Sequence, residues 1–307
     1  MTAPPLLECV PNVSEGRSRE ALEALAAAIR GVRGAHLLDL APDADHHRTV
    51  VTLAGGADAL REAVLALFAW ADRWIDLRRH RGVHPRIGAV DVVPFVPLAG
   101  ATLEQAVAAA RETAVAVAER FALPVFLYEE AASRPARRRL ADLRRGELDG
   151  LAERLAEAEW RPDFGPAALH PRLGATVVGA RFFLLAVNAL LATAEVAVAR
   201  DIARAVREAS GGLPGVRALG LLLPSQGRAQ VSMNLVDFRQ TSLADLLARV
   251  AAEAAARGTE VVSTELVGLA PAEALLGPLR ESLRNPELGL YKVLEHRLVD
   301  ERLRACE

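Results

Sequence analysis

Apolar and polar residues alternate along the first third of the chain with two periods, and these periods predict its secondary structure. A period of two is typical of a strand with one buried face, and a period near 3.6 is typical of an amphipathic helix. The predicted order is βαββαβ, with strands at residues 6–12, 36–40, 48–54 and 90–96 and helices at 18–30 and 57–77. Such an order is typical of a ferredoxin-like unit, in which two helices cover one face of a four-stranded antiparallel sheet.

The same order recurs in the second half of the chain. Its strands are predicted at residues 182–188, 216–223, 229–236 and 260–266, and its helices at 194–209 and 242–257. Between the two units, a helix at 103–121, a strand at 125–128 and a helical stretch at 135–145 extend the first. We therefore predict an α/β (α+β) fold of two ferredoxin-like βαββαβ subdomains, residues 1–178 and 179–307, with the boundary near Val178.

Length and composition agree with two cores. The chain has 307 residues, which exceeds the size at which one core usually stops growing, and 51% of them are hydrophobic. No apolar run is long enough to span a membrane, and the N-terminus lacks a basic segment before an apolar stretch. The cysteines Cys9 and Cys306 lie at opposite ends, which suggests neither a disulfide framework nor a cysteine metal site. We expect a cytoplasmic protein.

The charge balance narrows the classes of partner and chemistry. A net charge of −2 provides no overall positive field for nucleic acid or an anionic membrane. Lys292 is the only lysine, and no glycine-rich phosphate loop accompanies it, so Schiff-base and P-loop chemistry are disfavoured. The many arginines provide planar guanidinium groups that suit carboxylate ligands.

One motif occurs twice, as HPRIGA beginning at His84 and HPRLGA beginning at His170. Proline restrains the preceding histidine to an extended conformation, and glycine permits close backbone approach. Each copy could present an imidazole for proton transfer and a guanidinium for a carboxylate. The alternative interpretation is that proline and glycine only shape a turn.

A metal site is a further alternative. His80 and His84 have the spacing of two ligands on one helix face, although Gly82 and Pro85 disrupt such a helix, and His46 and His47 lie in a polar run. That run is also typical of a hairpin turn. The sequence lacks the Gly-x-Ser-x-Gly and Gly-x-Gly-x-x-Gly motifs, which disfavours an α/β-hydrolase and a classical dinucleotide fold. General acid–base transfer without a metal is the chemistry that we expect.

Several segments, in order, resemble glutamate formimidoyltransferases: ECVPNVSEGR, DADHHRTVVT, DLRRHRGVHPRIGAVDVVPFVP, LYEEAA, RPDFGP, GATVVGAR and QVSMNL. The resemblance covers the chain to about residue 276. It implies transfer of a formimidoyl group from N-formimino-L-glutamate to N5 of tetrahydrofolate, a step in histidine breakdown. It also implies two facing α/β subdomains, a homodimer, and tetrahydrofolate, in monoglutamyl or polyglutamyl form, as co-substrate.

The resemblance also assigns roles to residues. It makes His84 the catalytic acid–base and assigns folate binding to one loop, consisting of Gly165, Pro166, Ala167, Ala168, Leu169, His170, Pro171, Arg172, Leu173 and Gly174. Chemistry adds arginine candidates for the substrate carboxylates, namely Arg86 and Arg172, followed by Arg17 and Arg48. It also adds three asparagines that could bond to the pterin or the amidine, which are Asn12, Asn188 and Asn234.

Two positions near the expected site depart from the family pattern. Val83 stands where glutamate is usual before the His-Pro pair, and His47 stands where asparagine is common. These changes leave both a formimidoyl and a formyl donor open. Two other functions also stay open: a metal-dependent amidohydrolase using His46, His47, His80 and His84, and a non-catalytic relative that binds folate.

Overall fold

The computed structural model describes residues 5–98, 100–275 and 294. The chain divides after Arg181 into two compact units, each of which has its own sheet and its own hydrophobic core. Val178, where the sequence placed the boundary, lies inside a strand of the first sheet. Among the described residues, no helix is long and apolar enough to cross a membrane.

The first unit contains seven strands and five α-helices among its described residues. The strands are β1 (Leu7–Cys9), β2 (Asn12–Val13), β3 (Ala35–Asp43), β4 (Arg48–Gly55), β5 (Val90–Pro97), β6 (Val125–Glu129) and β7 (Thr176–Ala180). The helices are α1 (Arg19–Arg30), α2 (Ala57–Trp74), α3 (Leu103–Phe121), α4 (Leu140–Leu143) and α5 (Glu147–Arg154). The Ser18 side chain caps α1 by accepting a hydrogen bond from the amide of Ala21.

All seven strands of the first unit form one mixed sheet. Strand β3 pairs with β4, and the order continues through β1 and β2 to β5, β7 and β6. The pairs among β1 to β5 are antiparallel, whereas β7 pairs in parallel with β5 and with β6. The expectation of a four-stranded antiparallel sheet is therefore wrong for this unit, because β6 and β7 extend it in parallel.

Two local predictions in this unit also need correction. The strand predicted at residues 6–12 is interrupted at Pro11, which has no N–H to donate, although its carbonyl accepts a hydrogen bond from the amide of Val51 at 2.9 Å. The helical stretch predicted at 135–145 consists of a 3₁₀ turn at Pro135–Arg137 followed by the four-residue helix α4.

The two faces of the first sheet carry different layers. Val51 and Leu53 of β4 belong to the large core that α1, α2 and α3 cover. Because side chains alternate along a strand, Arg48 and Thr52 lie on the opposite face. On that face, α4 and α5 cover β6 and β7 through a second hydrophobic cluster.

The second unit confirms the predicted order βαββαβ. Its elements are β8 (Leu185–Leu191), α6 (Val196–Val206), β9 (Val216–Leu223), β10 (Arg228–Leu235), α7 (Leu243–Ala255) and β11 (Val261–Val267). The strands form an antiparallel sheet in the order β11-β8-β10-β9. One face packs against α6 and α7, for example through Val187, Ile202 and Leu246. The ferredoxin-like description stays a prediction.

Candidate active site

His84 lies in the segment that leads into β5, and its ring nitrogens have defined roles. Its Nδ1 lies 2.8 Å from the carbonyl oxygen of Pro85, and its Nε2 lies 2.8 Å from Nη1 of Arg48. A carbonyl oxygen can only accept a hydrogen bond, so Nδ1 carries the proton and Nε2 is the acceptor. The result is a neutral imidazole, 8% exposed, whose basic lone pair faces a guanidinium group.

Burial and positive neighbours keep this imidazole neutral. Burial has the largest effect and lowers the pKa of His84 well below its ordinary value, and the nearby charges of Arg48 and Arg144 lower it further. At neutral pH the ring is therefore unprotonated. It can accept a proton but holds none on Nε2 to donate at the start of a reaction.

Arg48 begins β4 and has spare donors. It is half-buried, and burial, followed by repulsion from Arg144, lowers its pKa to about 10, so it remains charged at neutral pH. Among the described residues its side chain hydrogen-bonds only to His84 and forms no salt bridge. Since a guanidinium has five N–H donors, Arg48 can still bind an anion in a bidentate manner.

Arg144 and Asp91 form a buried ion pair near His84, which was not predicted from the sequence. Asp91 is 2% exposed, and its carboxylate binds Arg144 through Oδ2 and the backbone amide of Ile87 through Oδ1, the latter at 2.7 Å. Through these two bonds, Asp91 links the HPR segment to Arg144, the residue that follows α4. The only sequence signal was a charged residue within the apolar strand VDVVPFVP.

Arg86 binds protein groups rather than presenting free donors. Its Nε and Nη2 donate to the carbonyl oxygen of His84 at 3.1 and 2.6 Å, and Nη2 also donates to that of His46 at 3.1 Å. Its Nη1 contacts the ring of His80. Arg86 thus joins the HPR segment to the turn between β3 and β4, and its predicted role as a carboxylate ligand finds no support in these contacts.

His46 lies in the turn between β3 and β4, close to His84. Its Nδ1 lies 2.9 Å from Oδ2 of Asp43, and its ring centroid lies 5.7 Å from that of His84 in an edge-on arrangement. The residue is 1% exposed, and its Nε2 has no hydrogen-bond partner among the described residues. The run that the sequence indicated as a hairpin turn therefore also contributes an imidazole beside His84.

The other two histidines of the metal alternative form a stacked pair. The rings of His47 and His80 lie 4.0 Å apart, and Nε2 of His47 is 3.4 Å from a carboxylate oxygen of Glu15. Burial, followed by repulsion from Arg86, lowers the pKa of His80 to about 4. Guanidinium groups thus contact both His80 and His84, and a cation in those positions opposes binding of a metal ion. Within the described chain, no group of three or more candidate ligands is arranged for a metal.

The two HPR copies lie side by side but in different environments. Gly88 and Gly174 form a β-bridge, and the amide of Ala175 donates to the carbonyl of Ile87 at 2.8 Å. Nδ1 of His170 accepts the amide of Leu173 at 3.0 Å, so this imidazole closes its own turn. The turn interpretation therefore describes the second copy, whereas the first presents Nε2 toward Arg48.

Comparison with protein-family models identifies the family. The N-terminal subdomain of the formiminotransferase domain matches residues 6–181, and the formiminotransferase domain matches residues 186–292. The chain belongs to the formiminotransferase family. The resemblance stated from its motifs is thereby confirmed.

Curated relatives agree with this membership. The formiminotransferase chain is 38% identical to a glutamate formimidoyltransferase of Streptococcus pyogenes, over 96% of this chain and 99% of the relative. It is also 38% identical to one of Thermoplasma acidophilum, over 95% of this chain and 97% of the relative. It is 43% identical to a formimidoyltransferase-cyclodeaminase of Sus scrofa and spans 51% of that longer protein. The chain is accordingly a transferase.

The loop expected to bind folate in this formiminotransferase precedes β7 and is anchored by a buried arginine. Arg137 is fully buried, and it binds Asp163 at 3.1 Å together with the carbonyl oxygens of Glu159 and Arg161. Residues 165–168 are exposed beyond this anchor. Arg172 donates to the carbonyl oxygen of Asp72 at 2.6 Å, which ties the far end of the loop to α2.

The other predicted contacts fall into two groups. In the first unit, Asn12 donates to the carbonyl of Val10 at 3.2 Å, and Nε of Arg17 donates to that of Ala44 at 2.8 Å, next to the turn that holds His46. In the second unit, Asn188 and Asn234 lie on adjacent strands and share the sheet face opposite α6 and α7. Their roles in substrate binding stay predictions.

Acidification is expected to destabilise the first unit between about pH 6.5 and pH 4. The unfolded chain binds protons at His80 and His84 near pH 6.5, whereas the folded chain resists both protons, so unfolding takes up protons in this range. The free energy of unfolding should fall by up to about 1.4 kcal/mol per pH unit for each histidine. Urea denaturation at several pH values gives the free energy of unfolding, and its fall with decreasing pH should be less steep for His80→Asn than for the wild type. An equal pH dependence in both proteins would show that His80 does not resist protonation in the folded chain.

Proposed function

We propose that the chain transfers the formimidoyl group from N-formimino-L-glutamate to N5 of tetrahydrofolate, producing 5-formimidoyltetrahydrofolate and L-glutamate. This reaction is a step in histidine breakdown. The names of the near full-length relatives support the reaction class. The observation that carries the proposal is the neutral imidazole of His84, whose Nδ1 proton is bonded to a carbonyl and whose Nε2, facing Arg48, is the nitrogen with a basic lone pair.

His84 performs two proton transfers in sequence in this proposal. Its Nε2 accepts the proton that N5 loses as the bond between N5 and the formimidoyl carbon forms. The same Nε2 then gives that proton to the glutamate nitrogen as the bond between this nitrogen and the formimidoyl carbon breaks. No net proton is gained or lost, and the Nδ1 hydrogen bond to Pro85 orients the ring throughout.

Arginine contacts favour one candidate for the donor's carboxylates. Arg86 donates to backbone carbonyls and contacts His80, and Arg172 is tied to α2, whereas Arg48 has donors left beside His84. We assign a glutamate carboxylate to Arg48 and folate to the loop at 165–174. The homodimer and the cytoplasmic location stay predictions.

The proposal predicts that the purified full chain forms 5-formimidoyltetrahydrofolate from N-formimino-L-glutamate and tetrahydrofolate, and that chelation does not slow it. The physical reason is that guanidinium groups contact the histidines that would otherwise hold a metal. Turnover that requires stoichiometric zinc or iron would instead favour the amidohydrolase. Folate binding without donor consumption would favour a non-catalytic relative. Faster transfer from N-formyl-L-glutamate would make the formyl group the natural cargo.

A further inference from the structure

The nitrogen that has to accept a proton is covered by a donor in this structure. Nη1 of Arg48 lies 2.8 Å from Nε2 of His84, and no other nitrogen of that ring is available because Nδ1 is bonded to Pro85. A lone pair that accepts one N–H cannot take a proton from a substrate until that donor leaves. The base is therefore present but capped.

The cap is held weakly compared with what a carboxylate would offer. The acceptor of Arg48 is a neutral imidazole, and the nearby carboxylates are engaged elsewhere: Asp43 with the backbone amide and ring of His46, and Asp91 with Ile87 and Arg144. The bond to His84 has a charged donor but a neutral acceptor, whereas a carboxylate brings an opposite charge and can accept two parallel N–H bonds from a guanidinium in bidentate form. An arriving carboxylate should therefore outcompete His84 for Arg48.

A second observation points to a ligand beside His84. Nε2 of His46 is buried and has no hydrogen-bond partner among the described residues, and its ring lies edge-on to that of His84. Buried polar atoms without a partner are rare in folded proteins and call for an explanation such as a bound molecule. A capped base and an unpartnered imidazole thus lie side by side, with ring centroids 5.7 Å apart.

We propose that Arg48 is a carboxylate-triggered cap, which a carboxylate of the donor substrate draws away from Nε2 of His84 so that the base becomes available only after the donor binds. Arg48 is then a specificity-determining residue, because a formimidoyl compound without a carboxylate would leave the base capped. This inference rests on the proposed function for the identity of the donor. The capped state itself does not depend on that identity.

The test measures the protonation state of His84 as a function of pH, using NMR of the full chain with nitrogen-15-labelled histidines. In the wild type without ligand, His84 should stay neutral with its proton on Nδ1. Arg48→Ala should raise the pH midpoint of His84 by at least about one unit, because a positive neighbour and a competing donor are removed. L-Glutamate, the product that shares the donor's carboxylates, should raise the midpoint in the wild type and cause no further rise in Arg48→Ala.

Two further variants keep the test decisive. Arg19→Ala removes an arginine whose side chain is 91% exposed and pairs with Glu23, and it should behave as the wild type. Arg48→Lys keeps a charged donor, so it should fold and remain capped, but it should need roughly tenfold more glutamate to respond because it lacks the bidentate fork. If Arg48→Ala does not fold, the glutamate response of Arg48→Lys tests the proposal in its place.

The outcomes separate this inference from the proposed function. An unchanged His84 midpoint in folded Arg48→Ala would overturn the cap whether or not the chain turns over. A chain that transfers the formimidoyl group but shows no glutamate-dependent change at His84 would overturn the trigger and leave the proposed function standing. A chain that shows the cap but consumes no donor would overturn the proposed function alone.

Discussion

Replacing His84 with alanine is expected to lower kcat by about 100- to 10,000-fold, the usual contribution of a positioned acid–base group. Both proton transfers of the proposed reaction pass through Nε2 of His84. His46 is not expected to take over this role, because its Nδ1 is bound by Asp43. Folate binding should be largely kept, because the loop at 165–174 does not depend on this side chain. Steady-state rates and an equilibrium folate titration measure the two quantities.

A histidine from the same unit provides the matched control for this variant. His36 lies on β3, near the end of that strand away from the turn that holds His46. His36→Ala should retain the wild-type rate within a few-fold. Undiminished turnover in His84→Ala would remove His84 from the mechanism, and an equal loss in both variants would point to a general effect on folding.

Replacing Gly88 with alanine is expected to lower the free energy of unfolding by about 3 kcal/mol and to reduce turnover as well. An added Cβ would meet the carbonyl oxygen of Ala175 at far less than contact distance and that of Val90 at 2.9 Å. The clash involves backbone on both sides, so the bridge between the two HPR copies has to open. His84 lies four residues before the clash and would be displaced with it.

Gly31→Ala is the matched control, measured by urea denaturation with the same protein preparation. Gly31 follows α1 with a φ of −70°, and an added Cβ would lie 3.5 Å from its nearest neighbour, an ordinary contact. Its stability should stay within about 1 kcal/mol of the wild type. If Gly88→Ala is no less stable than Gly31→Ala, the two copies are not packed as closely as the structure indicates.

The second unit was well predicted from sequence because its signals are local. Strand 216–223 and the order βαββαβ follow from alternation and turn residues, and each strand pairs antiparallel with its neighbours. Strand β7 was missed because its pairing with β5 and β6 is parallel and depends on segments far apart in the chain. A short apolar run such as TVVGA does not reveal its partners, so the boundary was placed inside it.

The candidate site shows the same division between local and distant information. The motif alone singled out His84, because proline and glycine around a histidine are a local pattern. Its environment comes from separate segments, with Arg48 from β4, Arg144 from the region after α4 and His46 from a turn. For this reason Arg86 was preferred to Arg48 as a carboxylate ligand on sequence grounds. In the structure, Arg86 donates to backbone carbonyls, whereas Arg48 has donors that remain free.

The fate of the one-carbon group tests the central claim most directly. We would mix the full chain with tetrahydrofolate and N-formimino-L-glutamate labelled with carbon-13 in the formimidoyl carbon, and follow the label by NMR. We expect the label to move to N5 of the folate while unlabelled L-glutamate is released in equal amount. Label released as formamide or formate, with the folate unmodified, would contradict it.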